Sequence, residues 1–370
     1  MSHGAWATPG ITADDHREST TTTAIQYGER KRLAPYDRSI SEVQVAYAPR
    51  TVSLTLPVLY RFRTEVMNVM ITLVRQPTGQ PAFSKEGPIV AAALTDEQVA
   101  AYHRDGYFIV RQMFDEEEIA LLRRSTREDN ELDRQAFGRA DGEGGTVRLS
   151  LWNHPGESIY GMFARCRRVV DSAEKILEGE VYHYHSKMIL KDPKVGGAWT
   201  WHQDYGYWYH FGVLFPLLTS VTIALDPATK ENGCLQVLKG SHHMGRLEHV
   251  LTGDQAGADR ERVNEAIERL ELVYCEMQPG DGMFFHCNLL HRSDQNRSDQ
   301  PRWSLICCYN AARNDPYKDA QHPRYTPLEK VDDDVIKRVG IKRFEDDASD
   351  VSWLTPEKDN TASSLNTKRD

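Results

Sequence analysis

The chain has 370 residues, 40% of them hydrophobic and 27% charged, with a formal net charge of −9, which is ordinary for a globular protein that buries its own core. No stretch reaches the roughly 18 to 20 apolar residues that a membrane helix needs, and the most apolar early run, Val66–Val74, is broken by Asn68 and Thr72 and lies too far from Met1 to be a secretory signal. The first 90 residues hold ten Lys/Arg against eight Asp/Glu, leaving 35 against 46 beyond them. A body with a net charge of −11 is a poor match for a nucleic-acid surface.

In chain order, residues 1–90 read as a loosely ordered extension. Ser19–Thr23 is a Ser/Thr run, seven prolines interrupt any long element, and a short strand is expected around Val52–Leu56. Arg30, Arg32, Arg61 and Arg63 have the flavour of a transit peptide, against which Asp14, Asp15 and Glu18 argue. Regular structure begins at Leu94. Thr95 and Gln98 form a capping box for a helix that stops near Gly106, and a strand follows over Tyr107–Val110. Asp115–Glu118 repeats the helix-start signal, and a further helix is predicted over Ile159–Leu177, ending at Gly179.

From Val181 the pattern turns to strands: Val181–Leu190, Ala198–Tyr209, Val213–Leu225, Leu235–Leu238, Leu270–Met277, Met283–His286 and Trp303–Asn310. Gly196-Gly197, Asn232-Gly233 and Pro279-Gly280-Asp281-Gly282 supply the turns. The expected fold is mainly β with flanking helices: a two-sheet jelly roll. The body spans residues 91–342, and residues 343–370 read as a polar tail that frays. The six cysteines have no CxxC spacing and fit unpaired thiols of a reducing cytoplasm. Cys307 and Cys308 point to opposite faces of the last strand.

The chemistry concentrates at Trp201-His202-Gln203-Asp204. On a strand, residues two apart share a face, so His202 and Asp204 converge and supply two thirds of the facial triad that leaves three iron(II) positions open. The third ligand must come from a distant strand. His291 is the candidate, with His286 its rival five residues earlier. Arg302 opens the next strand, placed to hold a carboxylate by a bidentate charge-assisted pair. The aromatic cluster Trp199, Trp201, Tyr205, Tyr207, Trp208, Tyr209 and Phe211 walls a substrate pocket or simply fills the core. Tyr207 and Trp208 are the candidates for substrate contact.

With these residues the sequence resembles the phytanoyl-CoA dioxygenase-like family of 2-oxoglutarate oxygenases, which includes ectoine hydroxylase. The likeness runs from about Leu94 to Asn310. It takes in Leu94-Thr95-Asp96-Glu97-Gln98, the His202/Asp204 motif, Glu231-Asn232-Gly233-Cys234-Leu235, Gly240-Ser241-His242, Gly280-Asp281 and His291-Arg292-Ser293 through Pro301-Arg302.

The resemblance implies a double-stranded β-helix of cupin type, with iron(II) held by His202, Asp204 and His291. It implies 2-oxoglutarate gripped by Arg302 with Ser293, and contacts from Thr222 and Lys187. It also implies O₂ as oxidant, with ascorbate the usual reductant in vitro. The activity implied is hydroxylation of an unactivated C–H bond of a small organic metabolite, with release of succinate and CO₂. The carboxylate at Asp204 favours oxygen transfer over halogenation, because halogenating relatives carry a small residue there. Two other readings stay open: a cupin-like metal enzyme that does not use 2-oxoglutarate, and a non-catalytic relative that binds. An acyl-CoA substrate would call on Arg165, Arg167, Arg168 and Arg246. A soluble cytoplasmic monomer or homodimer, with no membrane and no nucleic acid as partner, completes the expectation.

Overall fold

Thr95 Oγ1 accepts from the Gln98 amide, and the Gln98 side chain accepts in return from the Thr95 amide at 2.7 Å, so the capping box predicted from sequence starts the helix Asp96–Asp105. Such a cap contributes about 1 kcal/mol. Gly106, at φ +85°, ends that helix in the left-handed conformation. Asp115 and Glu118 repeat the arrangement for the helix Glu116–Glu128. The helix predicted over Ile159–Leu177 is two helices, Ile159–Arg165 and Arg167–Leu177, parted at an extended Cys166. The break has a tertiary cause: Val331 takes hydrogen bonds that helix continuation would use, donating to Arg165 O and accepting from Arg167 N.

The computed structural model describes the strands β1 (Glu42–Val45) and β2 (Val52–Thr55) and residues 93–365 apart from 142, 143 and 253. It divides into two units, Met1–Lys85 and Glu86–Asp370. In the first, β1 and β2 pair antiparallel, and β2 falls where the early strand is expected. The loosely ordered reading of the rest of residues 1–90 lies outside the described residues.

The second unit carries β3 (Tyr107–Val110), β4 (Phe137–Ala140), β5 (Thr146–Trp152), β6 (Val181–Lys191), β7 (Trp199–His202), β8 (Leu218–Ala224), β9 (Leu235–Leu238), β10 (His249–Thr252), β11 (Gln255–Ala258), β12 (Leu272–Cys275), β13 (Gly282–His286), β14 (His291–Ser293) and β15 (Arg302–Ala311). The large sheet has the order β3-β13-β8-β15-β6-β5-β4 and the small one β12-β9-β14-β7, with β10-β11 a separate hairpin. Every strand pair is antiparallel. This is the mainly β jelly roll backed by helices that the sequence predicts.

Alternation along β15 divides the core. Leu305, Cys307 and Tyr309 pack against the helices, with Met188, Leu190, Val221 and Ile223 of the neighbouring strands. Ile306 and Cys308 face the other way, toward Tyr205, Trp208 and Phe211. The two adjacent cysteines therefore do point to opposite faces, and all six thiols are buried and unpaired.

Three further predicted elements differ. Ala198–Tyr209 is not one strand: β7 ends at His202, and Asp204–Trp208 is a short helix. Val213–Leu225 is a strand only from Leu218, because Pro216 interrupts it and Leu214 and Phe215 lie exposed in a loop. The segment beyond Lys342 does not fray within the described residues. Val351 and Leu354 are buried, and Phe344 and Trp353 pack edge-on against the fully buried Trp152. The β4-β5 and β10-β11 hairpins and the helix Arg260–Ile267 go unread in the sequence, although Asp141-Gly142, Gly144-Gly145 and Gly253-Asp254 are turn signals between the paired strands.

Candidate metal and co-substrate site

β7 and β14 pair so that His202 and His291 stand directly opposite each other, with ring centroids 4.0 Å apart. Each ring is oriented by its own backbone. Nδ1–H of His202 donates to Thr200 O at 2.8 Å, and that of His291 to Leu289 O at 2.9 Å. A carbonyl only accepts, so both Nδ1 atoms carry the proton and both Nε2 lone pairs are free.

Asp204 joins them by a route that strand alternation does not describe. The strand gives way at Gln203, whose amide donates to His249 Nε2 and whose side chain bonds Gly245 O, Asn288 O and the Leu247 amide. Tyr205 N then donates to Cys287 O as the short helix begins. Gly206 lies so close to the His249 ring that an added Cβ would sit 2.0 Å from it. Asp204 Oδ1 ends 3.8 Å from His202 Nε2, and the ligand atoms of His202, Asp204 and His291 all lie within 4.8 Å of one another, every residue buried.

Protonation suits a cation. Burial and the neighbouring imidazole hold His202 well below the ordinary histidine range, and burial lowers His291. Burial opposes charge on Asp204, but the Lys187 ammonium and the Tyr207 hydroxyl favour it, and the carboxyl is held below its usual range. Tyr207 Oη donates to Asp204 Oδ1 at 2.7 Å. Two neutral imidazoles and one carboxylate on a common face are the donor set of a facial triad with open positions.

His202 and His291 border an inner cavity that also receives Lys187, Lys191, Thr222, Ser293 and Arg302. Arg302 is buried, its Nε has no hydrogen-bond partner, and burial pushes the guanidinium down to about 10. Thr222 Oγ1 is likewise without a partner. Buried polar groups are ordinarily bonded, and a buried cation ordinarily has an anion. The chemistry of these buried donors suits a carboxylate.

Lys191, opposite Arg302 in the β6/β15 register, is fully buried. Its Nζ donates to Ser293 Oγ at 2.9 Å and to Asp294 O at 2.5 Å. Burial and Arg302 hold it well below the usual lysine range. Lys191 is thus the lysine beside Arg302 and Ser293, a residue the sequence reading did not single out. Alternation along β6 puts Lys187 and Lys191 on one face; only the register with β15 tells them apart. Lys187 instead lines this cavity and a second, outer one. That outer cavity is lined by Tyr207 and Trp208, with His185, His322 and Arg139, and by Leu354, Asp359, Thr361 and Ala362 of the C-terminal segment.

Other candidates fall away. His286 does not join the triad; its Nδ1 accepts from the Asn288 amide. His242 and His243 donate to His103 O and Arg104 O, capping the C-terminus of the helix Asp96–Asp105. The arginines available to an acyl-CoA are engaged within the protein: Arg165 with Glu157, Arg167 with Asp332, Arg168 with Glu118, and Arg246 with Glu248, Gly206 O and the Tyr209 ring.

The family pattern of phytanoyl-CoA dioxygenase (PhyH) matches residues 102–304, which hold β3 to β14, the start of β15 and every residue lining the inner cavity except Ile306. The chain belongs to the phytanoyl-CoA dioxygenase (PhyH) family. Among its relatives in that family is an L-proline trans-4-hydroxylase of Streptomyces griseoviridis, 30% identical over 271 residues, covering 66% of this chain and 98% of the relative. An ectoine dioxygenase of Bordetella parapertussis is 28% identical over 283 residues, covering 72% and 90%. The crystal structure of EctD from S. alaskensis with 2-oxoglutarate and 5-hydroxyectoine superposes with a TM-score of 0.53 at 26% identity, covering 70% of this chain and 93% of that one. The PhyH-family chain is accordingly an enzyme of the dioxygenase class. No helix among its described residues is long and apolar enough to cross a membrane.

Proposed function

We propose that this PhyH-family chain hydroxylates a small organic metabolite, with His202, Asp204 and His291 holding iron(II) and with Arg302, Ser293 and Thr222 gripping the far carboxylate of 2-oxoglutarate. The observation that carries the reading is the buried Arg302 guanidinium, with its unpartnered Nε, in the cavity that His202 and His291 border. Iron(II) and 2-oxoglutarate, when bound, supply O₂ activation coupled to decarboxylation to succinate and CO₂.

The chain's own residues bind, orient and exclude water. Thr200 O and Leu289 O keep the Nε2 lone pairs directed at the metal position. Tyr207 Oη and Ser220 Oγ fix the Asp204 carboxylate, at 2.7 and 3.4 Å. Ile189 and Ile306 wall the inner cavity against water. The outer cavity, beyond Tyr207 and Trp208, is the place for the substrate. With Arg165, Arg167, Arg168 and Arg246 paired within the protein, a small metabolite fits better than an acyl-CoA. Six unpaired buried cysteines support a reducing, cytoplasmic setting.

The test is O₂-dependent succinate release from purified protein with iron(II), 2-oxoglutarate and ascorbate, wild type beside His202→Ala, with a panel of amino acids, ectoine and acyl-CoAs. Succinate from wild type alone, accelerated by one panel member that gains one oxygen in mass, is the expected result. If wild type binds iron yet releases no more succinate than His202→Ala under every addition, the 2-oxoglutarate reading fails and cupin-like metal chemistry takes its place.

A further inference from the structure

The C-terminal segment is held in two different ways along its length. Val351–Leu354 is anchored by apolar burial. Val351 and Leu354 are buried, Trp353 packs edge-on against Trp152 and forms an antiparallel bridge with it, and the Leu354 amide donates to Leu151 O at 2.9 Å. Thr355 then turns the chain, its carbonyl accepting from the Lys358 and Asp359 amides. Beyond that turn the hold is polar. The short helix Thr361–Leu365 has no fully buried residue. Two side chains from other elements converge on this stretch instead. Arg139 of β4 pairs with Asp359, the two side chains 19% and 9% exposed. Gln321 donates to Asp359 Oδ1 at 3.3 Å and accepts from the Asn360 amide at 2.5 Å.

A second, independent observation is where this stretch lies. Asp359, Thr361 and Ala362 line the outer cavity, as do Leu251 and Ala256 of the β10-β11 hairpin. Leu251 is exposed, so the cavity reaches the surface on the hairpin side. The helix Thr361–Leu365 lies against that hairpin and against the helix Asp204–Trp208. It also lies beyond residue 304, where the family pattern ends.

An ion pair largely withdrawn from water is costly to break by halves, because the remaining charge stays desolvated and loses its partner. The apolar anchor over Trp152 does not depend on that pair. The chain can therefore release from Thr355 onward while Trp152 stays covered, a local opening well short of unfolding. Resting on the reading that the outer cavity takes the substrate, we infer that residues 355–365 are a strap across the mouth of that cavity. Arg139 and Asp359 are the positioning residues that hold the strap shut and release it for substrate entry.

The test uses the full-length protein and a reporter thiol. Ala256→Cys puts that thiol on the cavity wall, while the six native cysteines, all buried, are the internal control. Labelling by N-ethylmaleimide is followed peptide by peptide with mass spectrometry. The reporter is expected to label slowly with the pair intact, and about tenfold or more faster once Asp359→Asn or Arg139→Met is added, because labelling tracks the open population. Arg139→Lys keeps the charge and is expected to hold the rate within about threefold of the latched protein. The native thiols stay unlabelled throughout. The inference is overturned if the reporter labels at one rate whatever stands at positions 139 and 359, or if Arg139→Lys labels as fast as Arg139→Met. It is overturned too if the native thiols label alongside the reporter, which would make the pair a support of the whole fold. 2-Oxoglutarate is titrated separately into Ni(II)-loaded wild type by calorimetry; failure to bind it sinks the co-substrate reading and leaves the labelling comparison untouched.

Discussion

Replacing Arg302 by Met separates two quantities that a structural arginine would lose together. Without co-substrate the guanidinium is buried, its Nε unpartnered and pushed by burial from 12.5 to about 10, a shift that corresponds to roughly 3 kcal/mol of lost charge solvation. Met removes that cost and keeps an apolar stem of similar length, so the co-substrate-free variant is expected to melt higher than wild type. At about 2 °C per kcal/mol for a body of this size, the rise is roughly 5 °C.

Co-substrate binding moves the opposite way. Truncating one member of a buried bidentate charge pair costs about 2 to 5 kcal/mol, a weakening of roughly 30-fold to several thousandfold in Kd. The assay is thermal unfolding of metal-loaded wild type and Arg302→Met with and without 2-oxoglutarate. A ligand at about 100 times its Kd stabilises wild type by about 2.7 kcal/mol, several degrees in Tm, and the variant is expected to show none of it. Should Arg302→Met melt lower than wild type without ligand and still shift upward with 2-oxoglutarate, then Arg302 is a packing residue and the carboxylate argument is refuted.

Two further predictions concern the surroundings of the triad. Tyr207→Phe removes the 2.7 Å hydrogen bond to Asp204 Oδ1; Mn(II) affinity is expected to fall by about 10- to 100-fold, with its acid limb moving to higher pH because that bond helps hold Asp204 low, and unchanged affinity and pH profile would remove Tyr207 from the site. Burial pushes His183, His286 and His322 to about 3 and His249 to about 4. Below the ordinary 6.5 the unfolded chain takes up protons that the folded chain refuses, so stability is complete above that pH and falls through the window down to about 3 to 4, by at most ~1.4 kcal/mol per pH unit for each ring. Between pH 7 and pH 5 the Tm is expected to drop by about 5 °C or more; a flat Tm over that range would show these rings open to solvent.

How much of this was legible in the residues depends on the range of the interaction. Capping at Thr95/Gln98 and Asp115/Glu118, the stop at Gly106 and the alternation that splits Cys307 from Cys308 act over a few residues, and sequence alone determines them. The chemical types of the site are legible too, because a facial triad and a carboxylate clamp demand His, Asp and Arg whatever the fold. What only the tertiary structure decided is long-range.

The break at Cys166 comes from Val331, and the packed C-terminal segment from the buried Trp152 it covers. Asp204 reaches the metal position through a helix start held by His249 and Cys287 rather than through strand pleating. The distinction between Lys187 and Lys191 is the clearest case. Both face the same side of β6 by the two-residue period, and nothing local says which one Arg302 meets. The register of β15 against β6 makes that choice, putting Lys191 opposite Arg302 and Lys187 opposite Ile306.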